Sequence, residues 1–133
     1  MTLQDLNIHL DLVKELQTAR EDLSNMQSLI LGAQQYDGMP HAHNASRKTE
    51  TIAIAFERQL EEVSRLEKIV SNSEVEVIAF INSISDSRTK LIFRLRFLCA
   101  LKWEDVATMI SGNNSTESVK MQCYRYIHPQ QKP

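Results

Sequence analysis

Three glycines and three prolines in 133 residues leave this chain nearly free of helix breakers, and the prolines stand only at 40, 129 and 133. With Leu, Ile, Glu, Gln, Lys and Arg abundant, that scarcity predicts an all-α protein. No apolar run approaches the roughly 18 residues needed to span a bilayer, so no membrane partner is expected. The opening MTLQDLNIHLDL has neither a basic stretch nor an apolar core and does not read as a signal peptide. Cys99 and Cys123 lack CxxC spacing and the density of a disulfide framework, so reduced thiols are expected, at least partly buried on helices of a cytoplasmic protein. Nucleotide-binding glycine loops, G-x-S-x-G and zincin patterns are missing, and the carboxylates are spread along polar helix faces; neither catalysis nor a cofactor is expected. His41 and His43 stand close together, with His9, His128 and Asp37 elsewhere. No ligand set of matching spacing accompanies them, so no metal site is expected either.

Hydrophobic residues make up 42% of the chain, enough for a modest core. The overall charge of −2 hides an asymmetry: residues 1–86 carry 7 Lys and Arg against 14 Asp and Glu, whereas residues 87–133 carry 8 against 3. A basic end on an acidic chain fits a nucleic-acid-binding head on a solvated scaffold.

In the first helical region, about Leu3 to Leu31, the residues Leu12, Leu16, Ala19, Leu23, Met26 and Ile30 recur at steps of four and three and so form one stripe. Gly32 reads as a residue just past that helix. The segment from about 32 to 48, with Asp37-Gly38, Pro40 and Asn44-Ala45-Ser46, reads as an exposed loop. A second helix starts near Thr49 or Thr51. It carries Phe56, Val63, Val70, Val77 and Ile84 every seventh residue, with Ile52, Leu66 and Phe80 between them and Gln59 and Ser73 as interruptions. A kink at Ser71-Asn72-Ser73 is open. The simplest arrangement for residues 1–84 is an antiparallel coiled-coil hairpin, completed by a second copy of the chain in a homo-oligomer.

Residues 85–133 read as a three-helix unit. Ser85-Asp86-Ser87 offers N-caps for a helix over SRTKLIFRLRFLCAL, with Leu91, Ile92, Leu95, Leu98 and Leu101 inward and Arg88, Lys90, Arg94 and Arg96 on other faces. KWEDVATMIS forms a short helix, Gly112-Asn113-Asn114 a turn, and Ser115 caps a last helix, TESVKMQCYRYI, stopped by Pro129. This is helix-turn-helix spacing: Ala107 is the small residue at the crossing, Val106 and Ile110 face the core, and Val119 packs back. Trp103 is placed against Leu95 or Leu98. The turn is about two residues longer than in the tightest helix-turn-helix units. Of the two tyrosines on the last helix, Tyr124 and Tyr126, one is expected to face the core and the other not, and Cys123 is expected to be a buried filler.

Three stretches carry a family likeness: I-x-D-S-x-x-x-x-x-I at Ile84 to Ile92, R-F-x-x-x-x-x-W-x-x-V-A at Arg96 to Ala107, and G-N-N-S-T-E-S-V-K-M at Gly112 to Met121. With the DGMPH loop at Asp37 to His41, the chain resembles small phage and prophage regulators of Gram-positive bacteria, of the RinA and ArpU types. Their helix-turn-helix is similar to region four of bacterial sigma factors. The resemblance implies control of phage genes, often late ones, by binding double-stranded DNA in the bacterial cytoplasm, with host RNA polymerase as a second partner. It places Asn114, Ser115, Thr116, Glu117, Ser118 and Lys120 at the start of the recognition helix, where Asn suits adenine, Glu suits cytosine, and hydroxyls suit phosphate. Met121, Tyr124 and Arg125 continue along the helix, and Lys102, Arg94 and Arg96 flank it as phosphate contacts. The alternative class is a phage structural or packaging-type assembly protein that uses the same helices for protein contacts.

Overall fold

The computed structural model describes residues 1–35, 43–110, 112 and 115–128. All regular structure among them is helical: α1 (Leu3–Gln35), α2 (His43–Asn82), α3 (Ser87–Phe93), a π-helical turn (Arg94–Leu98), α4 (Trp103–Met109) and α5 (Thr116–Ile127). The all-α expectation holds. None of the described helices is long and apolar enough to cross a membrane. The chain packs as two compact units, one of Glu15–Ile69 and one that combines Met1–Lys14 with Val70–Pro133.

In the Glu15–Ile69 unit, the two expected stripes supply the buried side chains: Leu16 and Ala19 from α1, and Val63 and Leu66 from α2. Gln59, which interrupts the apolar repeat, donates from Nε2 to the carbonyl of Ala19 at 3.0 Å. Arg20 reaches Glu67 at 3.2 Å, but both side chains are half exposed, so the pair adds little to stability. The loop read over 32–48 is shorter than expected. α1 continues through Gly32 to Gln35, and α2 is already helical at His43. A lone glycine inside a helix costs only about 1 kcal/mol, which the flanking turns absorb. Asp37-Gly38, Pro40 and His41 lie outside the described residues. α2 runs through Ser71-Asn72-Ser73 without a break in its helix.

The other unit has a single apolar core. Leu6 and Leu10 of α1, Val77 and Ile81 of α2, and Ile84 of the link meet Ile92, Phe93 and Phe97. Val106, Ala107 and Ile110 of α4 complete it with Val119 and Cys123 of α5. This core draws on residues from both sides of position 84, where the sequence changes character. Phe93 and Phe97, fully buried and the largest side chains in it, tilt against each other at 5.7 Å between centroids. Truncating either to Ala would cost about 3–5 kcal/mol by the usual penalty for a core aromatic. His9 is buried in the same unit, with Nδ1 2.7 Å from Oγ of Ser73, the second polar interruption in the α2 repeat.

Caps fix the helix starts. Thr2 and Asp5 bond reciprocally at the start of α1 through backbone and side chain. Asp86 Oδ2 accepts from the backbone N–H of Thr89 at 3.0 Å and from its hydroxyl at 2.6 Å. Those two bonds hold the Asp86 carboxyl below its ordinary pKa.

The helix expected over residues 87–101 is shorter and differently rolled. α3 passes into the wide turn Arg94–Leu98, where Cys99 N–H bonds to the Arg94 carbonyl, and Ala100 then turns into the left-handed region at φ 56°. The inward stripe is therefore Thr89, Ile92, Phe93 and Phe97, with Leu95, Leu98 and Leu101 only partly buried. Leu91, expected to face inward, is 37% exposed. Cys99, expected to be at least partly buried, is exposed because it sits where the helix has already ended; Cys123 is buried as expected.

Candidate nucleic-acid interface

α4 and α5 are two short helices on either side of a turn, held on one core by Val106, Ala107 and Ile110 from the first and Val119 and Cys123 from the second. Gly112 in that turn has φ 106°, a conformation that favours glycine. Ser115 caps α5 as expected, accepting from the Ser118 N–H at 3.1 Å. Asn113 and Asn114 lie outside the described residues, as does Pro129. α5 ends at Ile127 with His128 as its C-cap.

The roll of α5 is set by its inward stripe, Val119, Gln122 and Cys123. Gln122 Nε2 donates to Thr89 Oγ1 at 3.1 Å, while Gln122 Oε1 accepts from Arg88 Nε at 3.0 Å. With Asp86 and Thr89, this makes a small polar clamp between the start of α3 and the middle of α5. Gln122 escaped the sequence reading, although its i+3 spacing from Val119 marks the inward face. Tyr126 meets Phe80 and Phe93 edge-on at 6.3 and 5.7 Å. Burial pushes the Cys123 thiol up to about 12, so it stays protonated at neutral pH.

On the opposite face, Ser115, Glu117, Ser118, Met121 and Arg125 are all exposed. Thr116 and Lys120 are half-buried beside that face, and Lys120 Nζ lies 4.0 Å from Glu117. Tyr124 departs from its expected place. Its ring stands edge-on to Trp103 at 6.2 Å and tilted against His128 at 6.3 Å, and it packs on the core rather than joining the exposed row. As expected, one of the two tyrosines packs on the core, Tyr124, whereas Tyr126 is exposed with its ring edge-on to Phe80 and Phe93.

Among the flanking cations, Arg94 and Lys102 are exposed, and Lys102 is the residue before α4. Arg96 is not a surface cation. Its guanidinium carbon lies 4.9 Å from the centroid of the Trp103 ring, Nη1 donates to the Leu101 carbonyl at 2.8 Å, and Nε is buried without a partner. Trp103 packs on the same core as Leu95 and Leu98 and stands between Arg96 and Tyr124.

Comparison with family models, with curated proteins and with solved structures finds no match for this chain.

Proposed function

We propose that this chain is a sequence-specific regulator of transcription that binds double-stranded DNA, with α4 and α5 as a helix-turn-helix and α5 as the recognition helix. One observation carries the reading. α5 is locked in roll by Val119, Gln122 and Cys123, and it turns the row Ser115, Glu117, Ser118, Met121 and Arg125 outward from the basic end of an acidic chain. A 12-residue helix of about 18 Å fits the major groove, and its side chains reach base edges there. Exposed Arg94, Lys102 and Arg125 supply phosphate contacts around it.

The acidic long helices are the handle. Leu29 at 60%, Leu31 at 54% and Ile54 at 47% exposure leave apolar surface on them for a second copy of the chain. Control of late phage genes in a bacterial host, with RNA polymerase as a second partner, extends the reading along the family resemblance.

The test is selection of bound duplexes from a random-sequence pool by the full chain, followed by anisotropy titration of the enriched sequence against a scrambled one. Enrichment of a shared motif, bound more tightly than its scramble and more weakly as salt rises, is the expected result. No binding to any duplex at low salt removes the proposal.

A further inference from the structure

We propose that α5 reads a cytosine through the Glu117 carboxylate and a nearby thymine through Met121. This inference rests on the DNA-binding reading above and makes it specific. Glu117 and Met121 stand four residues apart on the exposed face, one above the other and about 6 Å apart along the axis. Bases follow one another at about 3.4 Å per step, so the two side chains address positions one or two steps apart.

The chemistry at each position is restrictive. The Glu117 side chain is 81% exposed, and its one ion pair among the described residues, with Lys120, is at 4.0 Å. A carboxylate only accepts hydrogen bonds, so phosphates repel it, and so do the paired acceptors N7 and O6 of guanine. Adenine sets an acceptor N7 beside its amino group. Cytosine N4 is the major-groove donor without an acceptor on the same base edge, and it is the base a carboxylate selects. Met121 is 47% exposed in a row whose other members are hydroxyls and charges. The apolar group that duplex DNA offers in the major groove is the thymine methyl. Charge complementarity names the occupant of this face, because residues 87–133 carry 8 cations against 3 anions. A carboxylate at the centre of such a surface weakens sequence-independent attraction, and discrimination among bases is what it provides in return.

The experiment uses the full chain and the duplex enriched from the random pool, together with the same duplex carrying uracil for thymine, which deletes only the methyl groups. The enriched sequences should share a cytosine and a thymine within about two steps. Replacing that thymine by uracil should weaken binding about fourfold, the effect of one buried methyl. Met121→Ala should bind the two duplexes alike. Glu117→Gln should lose roughly 5- to 100-fold of its preference for cytosine while binding scrambled duplex at least as well as the parent. Both side chains are exposed, and unchanged thermal melting of the variants confirms that they fold. Salt-dependent binding of the enriched duplex that ignores uracil and both substitutions overturns this inference and leaves DNA binding standing. Absence of binding to every duplex overturns both together.

Discussion

Arg96 is a structural cation, in contrast to the exposed Arg94, Lys102 and Arg125. Its guanidinium caps the Trp103 ring and ties down the Leu101 carbonyl, so its charge is spent inside the link between α3 and α4. Arg96→Lys keeps the charge but loses the planar stack, and we predict a loss of about 1 kcal/mol in urea unfolding, the worth of a partly desolvated cation–π contact. His9 makes a second prediction. Burial holds its pKa below the ordinary 6.5, only partly offset by the Glu74 carboxylate. The unfolded chain therefore takes up a proton near 6.5 that the folded chain refuses until lower pH. Stability is complete above that value and declines as the pH falls from it toward the lowered pKa. Urea midpoints measured across this window should show the decline in the parent and a flatter profile in His9→Gln.

Helix ends decided which parts of the fold were legible. Ser115 and Asp86 are cap residues by type, and both starts were read correctly because a side-chain oxygen three residues before a backbone N–H is a local signal. The end of α3 was not legible. A helix that closes with a left-handed residue usually announces it with glycine, and here Ala100 takes φ 56° while Leu101 N–H reaches back to the Leu95 carbonyl at 3.2 Å. Nothing in the string FLCALK marks that stop, so the pattern alone predicts a longer helix with Leu91 inward in place of Phe93 and Phe97. The same pattern places Arg96 on an outer face, whereas it stacks on Trp103. Ala100→Gly relieves the strained backbone, and we predict a gain of roughly 0.5–1 kcal/mol in unfolding free energy by chemical denaturation. The seam of α2 was legible because seven-residue spacing survives its interruptions. Gln59 and Ser73, the two breaks, turn out to hold a carbonyl and an imidazole of α1. In α5, the exposed row could be read from spacing, whereas the withdrawal of Tyr124 to Trp103 depends on a partner 21 residues away in sequence, which no local pattern reports.

Residues far apart in the chain share the core beneath α5. Leu6, Leu10, Val77 and Ile81 are each no more than 3% exposed, and they are buried with Val106, Val119 and Cys123. A fragment limited to residues 85–133 keeps every proposed DNA contact but loses those four side chains. At about 1.5–3 kcal/mol for each buried aliphatic group, that loss is comparable with the whole stability of a small domain. We predict that the fragment shows no cooperative thermal transition, whereas the full chain does, as circular dichroism would record. The α4–α5 pair is thus built onto the ends of the long helices, and displacing the first turns of α1 would also loosen the exposed face of α5. Whether the exposed face of α5 meets phosphates decides the proposed function. The direct measurement is the salt dependence of duplex binding by the full chain, by Arg125→Ala and by Arg96→Lys between about 50 and 200 mM salt. We predict a linear fall of log affinity with log salt, a slope smaller by about 0.9 for Arg125→Ala, and an unchanged slope for Arg96→Lys. Equal slopes for the parent and Arg125→Ala, or no binding at the lowest salt, would contradict it.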